Sequence, residues 1–203
     1  MKLLIATTNQ GKMGEYQRLL RAAPFELVLL SDLGITEEPE ETGATLEENA
    51  ILKARFYAEK SGIPTLADDT GLEIDALGGE PGIHARRWPG YKAGDEELVA
   101  YAISRMKGIP EGKRTARFRA VLAVAKDPGD IRIFEGVLEG ILAEKAYYPI
   151  VPGLPYRSLF CPKGSDRVLA ESSMEELANL HREQAAQKAM PFLLAMAGEI
   201  NMV

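Results

Sequence analysis

Leu66-Ala67 runs straight into Asp68-Asp69, and no other short stretch constrains this chain as tightly. Pro64 to Ala67 reads as a short apolar strand, closed by Asp68-Asp69-Thr70-Gly71, with extended structure resuming over Leu72 to Ile74. Two adjacent carboxylates at the end of an apolar strand are costly unless they bind a metal ion or backbone donors. Any fold of this chain must therefore bring compensating groups to this point. A divalent cation held by one carboxylate, with that group acting as base toward a water, is one solution. An Asx turn with a helix cap is another, and the local pattern leaves both open.

Two further segments carry suitable chemistry. Lys2 to Thr7 is a continuous apolar run that suits a buried strand, and a helical pattern follows in Met13, Tyr16, Leu19 and Leu20. Between them lies Thr8-Asn9-Gln10-Gly11-Lys12. A strand-to-helix junction offers free N–H groups and the positive end of the helix dipole to a phosphate, and Lys12 adds a mobile charge. Neither the P-loop pattern nor GxGxxG is present, and the same residues also read as a polar turn with an ordinary cap. The second segment is Glu40 to Asn49, followed by Lys53. Its carboxylates suit a hard, oxygen-seeking cation such as Mg2+, although a solvated acidic loop fits as well. Thr45 and Glu48 have capping-box spacing and predict a helix to about Lys60, on which Asn49 and Lys53 share a face.

The rest of the chain reads as mixed α/β. Phe25 to Leu30 predicts a strand and Asp95 to Lys107 an amphipathic helix. Thr115 to Ala125 alternates as a half-buried strand should, and Ile131 to Val137 and Gly140 to Ala143 predict two more strands beyond a turn at Asp127-Pro128-Gly129-Asp130. Residues 146–168 read as irregular, and two helices are expected at roughly 173–182 and 184–197. This order is too mixed for a doubly wound nucleotide fold.

Composition narrows the function classes. The 203 residues carry 46% hydrophobic side chains, enough for a full core in one domain, 1–203. One cysteine, Cys161, and two histidines, His84 and His181, exclude a disulfide framework and a multi-thiolate or multi-histidine metal cluster. A formal charge of −6 argues against coating a nucleic acid polymer but leaves a small anionic substrate open. No apolar run approaches the ~20 residues of a membrane span. Residues 1–7 lack the length and cleavage site of a signal peptide, so the expected location is cytoplasmic.

Taken together, these segments resemble the inosine triphosphate pyrophosphatase family. The likeness is carried by Thr8 to Lys12, by Glu41 to Ala50 with Lys53-Ala54, and by Ala67 to Ile83 with Ala85-Arg86; it continues more weakly through Thr115–Ala125, Phe134-Glu135-Gly136 and His181-Arg182. The resemblance implies a two-lobed α/β fold around a long mixed sheet, an active site in the inter-lobe cleft and a homodimer. It also implies Mg2+-dependent cleavage between the α- and β-phosphates of non-standard purine nucleoside triphosphates (ITP, dITP, XTP), giving the monophosphate and pyrophosphate. By position, Thr8, Asn9, Lys12 and Lys53 would meet the triphosphate, and Glu41 and Asp69 would hold the metal. Asp69, with Asp68 beside it, would position or deprotonate the attacking water, and Lys53 would join them in catalysis. Thr70, with Leu154, Tyr156 and Arg157, would contact substrate, and His181 and Arg182 would lie by the base.

One segment departs from the family. Where Gly-Phe-Gly-Tyr-Asp-Pro is usual, this chain has Gly153-Leu154-Pro155-Tyr156-Arg157-Ser158. Leu154 replaces a stacking aromatic residue, worth about 1–3 kcal/mol per base, and Arg157 reverses an aspartate's charge. A lysine expected before His181 is missing from Glu175-Glu176-Leu177-Ala178-Asn179, and Leu180 stands where a serine is usual. The alternatives are therefore an active enzyme, with ordinary or altered base preference, and a catalytically impaired nucleotide-binding homologue.

Overall fold

The structure, a computed structural model, describes residues 1–172 and 179–200. Among the described residues, seven strands and four α-helices form in the order β1 (Lys2–Ile5), α1 (Gln10–Leu19), β2 (Glu26–Leu29), α2 (Leu46–Ser61), β3 (Thr65–Ile74), β4 (Pro81–Gly82), α3 (Asp95–Arg105), β5 (Thr115–Asp127), β6 (Asp130–Leu142), β7 (Phe160–Pro162) and α4 (His181–Ile200). The strands hydrogen-bond in the order β2-β1-β3-β5-β6-β7, with β4 paired to β3. Pairing is mixed: β1 runs parallel to β2 and β3, whereas β4 and β7 run antiparallel to β3 and β6. The expected α/β class is what forms.

Contacts divide the chain into two units. The first comprises Met1–Asp69, Ala120–Gly136 and Arg182–Val203; the second comprises Thr70–Arg119 and Val137–His181. In the first, Leu3, Ile5, Tyr16, Leu20, Leu66, Leu122 and Val124 pack with Ala185, Ala189, Leu193 and Met196, a stripe at helical spacing on α4. In the second, Leu72, Ile74, Trp88, Leu98, Ala102, Phe118, Leu142, Tyr156 and Phe160 form a separate core. Each fully buried aliphatic side chain contributes about 1.5–3 kcal/mol to such a core. Among the described residues no helix is long and apolar enough to cross a membrane.

The local signals explain where elements begin. Asn9 caps α1, its Oδ1 accepting the N–H of Lys12 at 3.1 Å. Thr45 caps α2 by accepting the N–H of Glu48, while the Glu48 carboxylate takes the N–H of Ala44. Ala50, Ala54 and Ala58 lie buried along α2, a packing stripe.

Three expectations are corrected. β3 does not end at Asp68 but runs through both aspartates to Ile74. Successive side chains on a strand point to opposite faces, so each carboxylate reaches cations of its own and no turn is needed to expose them. β6 is one strand from Asp130 to Leu142, since Val137 to Glu139 stay extended. The irregular segment also contains β7, held on β6 where Gly140 lets it approach: a Cβ there would lie 2.3 Å from the Cys161 carbonyl oxygen. The helix expected at 173–182 falls largely on residues 173–178, outside those described. Where the structure resumes, Asn179 and Leu180 are non-helical and α4 starts at His181.

Candidate active site

Four elements of the first unit bring charges of alternating sign together. Lys12, in the first turn of α1, places Nζ 2.9 Å from Oδ1 of Asp68 on β3. Arg182, at the start of α4, donates from Nε to Asp68 Oδ2 at 3.0 Å and from Nη1 to Glu15 Oε2 at 2.8 Å. The Asp68 side chain is fully buried, and those of Arg182 and Glu15 are 4% and 8% exposed. Beside this chain of pairs, Lys53 of α2 donates to Asp69 Oδ1 at 2.6 Å and lies 3.3 Å from Glu41 Oε1. Asn49, one turn before Lys53, holds the Glu41 loop by accepting the N–H of Gly43 at 2.9 Å.

The two aspartates are pushed apart electrostatically. Burial alone would raise Asp68, but Lys12 first and then Arg182 and Lys53 outweigh it and hold the carboxyl well below the usual range. Burial wins at Asp69, where Glu41 adds repulsion against Lys53 and Lys12, and its carboxyl is raised. Burial lowers Lys12, only partly offset by Asp68; at Lys53 the carboxylates outweigh burial and raise it. Asp68 and Asp69, adjacent on β3, are thus shifted in opposite directions by their surroundings.

The other sequence candidates fall elsewhere. Thr8 is exposed and donates to Glu38 at 2.9 Å. Thr70, Leu154, Tyr156, Arg157 and His181 belong to the second unit. There Leu154 is half-buried and precedes a 3-10 turn over Pro155–Ser158, in which Tyr156 and Arg157 are buried. The Tyr156 hydroxyl donates to the Ala85 carbonyl at 2.6 Å, and burial raises its pKa. The imidazole of His181, 2% exposed, stacks on Phe118 with centroids 4.9 Å apart. The position of the absent lysine lies mostly in 173–178, outside the described residues.

Glu15 and Tyr16 were not legible as site residues. Tyr16 reads as core and is fully buried, where burial first and Asp68 next raise its phenol. Glu15 is three positions from Lys12 and so shares its helix face, the single clue in the sequence to its place in the cluster.

Carboxylate oxygens of Glu41 and Asp69 converge on one cation, the Lys53 ammonium, so the donor set fits a hard divalent ion. Among the described residues no three His, Cys, Asp or Glu side chains gather to hold a metal alone. That suits Mg2+, which usually takes one or two carboxylates and completes its shell with water and substrate phosphates.

Known proteins share this arrangement of sequence and fold. The chain is 38% identical over 193 residues to the dITP/XTP pyrophosphatase of Bacillus subtilis (strain 168), covering 95% of this chain and 96% of that protein. It is 41% identical over 200 residues to the dITP/XTP pyrophosphatase of Symbiobacterium thermophilum, covering 98% of each. Among solved structures, a HAM1 protein from Coxiella burnetii superposes with a TM-score of 0.83 at 32% identity, over 96% of this chain and 99% of that one. The Ham1 protein of Staphylococcus aureus gives 0.81 at 30% identity, over 96% and 99%. The family model described as Ham1 family matches residues 3–192, and with these relatives it shows that the chain belongs to the Ham1 family.

Proposed function

We propose that this chain is a nucleoside triphosphate pyrophosphatase that hydrolyses dITP, XTP and related non-standard purine nucleotides to the monophosphate and pyrophosphate. The observation that carries the reading is the split pair on β3: Asp68 locked between Lys12 and Arg182, and Asp69 poised on Lys53 beside Glu41. Relatives named for dITP and XTP supply the substrate class.

In this reading Lys12, Lys53 and the N-terminus of α1 at Asn9 receive the triphosphate, offsetting charge that develops on the phosphates. Glu41 and Asp69 would hold Mg2+, which would withdraw charge from phosphate oxygens and acidify water. Asp69 accepts the proton of the attacking water at its carboxylate. Asp68, held ionised, keeps Lys12 in place without competing for that proton. Thr70, the Gly153–Ser158 segment and His181 would contact the nucleoside, and Arg182 fixes Asp68. Homodimeric assembly and a cytoplasmic location belong to the same proposal, the first open to test by light scattering.

The direct test is pyrophosphate release from dITP, XTP, ITP, GTP, ATP, CTP and UTP with Mg2+, with and without a chelator, beside an Asp69→Asn control. Selective turnover of the 6-oxopurines, abolished by the chelator and by Asp69→Asn, is expected. The substitutions at Leu154 and Arg157 favour a second reading, a nucleotide binder with impaired turnover. Binding of dITP without pyrophosphate release from any nucleotide would establish that reading instead.

A further inference from the structure

A second set of polar contacts lies entirely within the second unit. Asp95, the first residue of α3, takes Arg86 Nη1 on Oδ1 at 2.5 Å and accepts the N–H of Gly153 on Oδ2 at 2.7 Å. A carboxylate in a first turn is stabilised by its own helix. Here both oxygens are spent on other segments, one of them 58 positions away. Gly153 has φ 75°, a conformation that side-chain-bearing residues resist, and from it the chain enters Leu154 and the Pro155–Ser158 turn. Two residues into that turn, Tyr156 donates to Ala85, the neighbour of Arg86, and meets the Trp88 ring edge-on at 6.3 Å. The loop is therefore pinned twice to the short segment 85–95. A cavity of about 520 Å³ is lined by Asp95 and Glu96 of α3 and by Tyr148, Pro149, Ile150 and Pro152, which precede Gly153.

We infer that Asp95 is a positioning residue for base selection: by accepting the Gly153 N–H, with Arg86 holding its carboxylate in line, it sets the pose of Leu154 and the turn behind it. This rests on the reading above that the Gly153–Ser158 segment faces the nucleoside. Asp95 touches no phosphate ligand, so its loss should act on substrate recognition rather than on the hydrolytic step. An amide oxygen can still accept from Gly153, so asparagine should preserve most of what alanine removes.

The experiment compares wild type, Asp95→Ala and Asp95→Asn on dITP, XTP and dGTP with Mg2+. Asp95→Ala should raise KM for dITP about tenfold and narrow the dITP:dGTP ratio of kcat/KM about as much, with kcat within about threefold of wild type. Asp95→Asn should recover most of the KM and the selectivity. A fall in kcat at unchanged KM, an unchanged ratio, or equal impairment by both variants would overturn the assignment. Trp88 is the sole tryptophan and packs on Tyr156, so its emission reports the loop without turnover. It should shift in Asp95→Ala and not in Asp95→Asn. If wild type releases no pyrophosphate at all, the proposed activity fails on its own account. The clamp is then judged by calorimetric dITP binding: about tenfold weaker for Asp95→Ala supports it, and equal affinity overturns it. Should Asp95→Ala not fold, Arg86→Met must raise KM in the same direction, and an unchanged KM overturns the inference.

Discussion

The first unit meets its functional demand with buried charge, the second with packing and backbone hydrogen bonds. Around Asp68 and Asp69, each charged group is answered by another of opposite sign: Lys12 and Arg182 on one aspartate, Lys53 on the other. Around Gly153 to Ser158 the shape comes from Asp95 on a backbone N–H, Tyr156 on a backbone carbonyl, and aromatic contacts with Trp88. A triphosphate has the same charge whatever base it carries, so under the proposed function a fixed lattice of charges would serve every substrate. A base is told apart by shape and a few hydrogen bonds, and a loop set by packing can be rewritten without disturbing that lattice.

The largest expected break in this contrast is Asp69→Asn. Removing the proton-accepting carboxylate should cost about 10²–10⁴-fold in kcat, measured as pyrophosphate release, with dITP binding retained. Next comes Asp68→Asn, which leaves Lys12 buried against a neutral group and Arg182 with Glu15 as its remaining carboxylate. Chemical denaturation should show a loss of about 3–5 kcal/mol. The pH dependence follows from the direction of its shift. Because Asp68 is held below the usual range, its stabilisation is fully present above the ordinary aspartate value of about 3.9 and is lost as pH falls below it. Wild type should therefore lose stability below about pH 4 more steeply than Asp68→Asn, read as the slope of Tm against pH. Activity should fail earlier on acidification, since Asp69 is raised rather than lowered. The smallest effect is expected on the packed side. Leu154→Phe should lower KM for purine nucleotides by no more than about 1–3 kcal/mol equivalent, leaving kcat and Tm unchanged. An equal gain for pyrimidines would blur the division between the two units.

Legibility followed the same division. Local rules suffice for the capping of α2 by Thr45, the cap of α1 at Asn9, and the place of Lys12 in the first turn of α1. Each of those depends on residues within a few positions of one another. The sequence alone misplaced the end of β3, because whether a strand may carry buried aspartates depends on cations supplied by α1, α2 and α4. Glu15 was hidden for the same reason: its partner is Arg182, 167 positions away. β7 escaped notice because three residues, Phe160 to Pro162, make too short a run for alternation, and its place depends on the missing side chain of Gly140. The role of Asp95 was invisible in a segment that reads simply as the acidic first turn of an amphipathic helix.

Arg182 also fixes an order of events during synthesis. Asp68 leaves the ribosome 114 residues before the guanidinium that neutralises half of it, and the first unit is assembled from three separated stretches of chain. Until α4 emerges, β3 carries an aspartate that favours water over burial, so the nascent N-terminal segment has a reason to stay open. Such long-range closure slows folding relative to locally wired domains. A chain cut short before residue 182 would keep Lys12 on Asp68 and Lys53 on Asp69 but lose the guanidinium that joins Asp68 to Glu15.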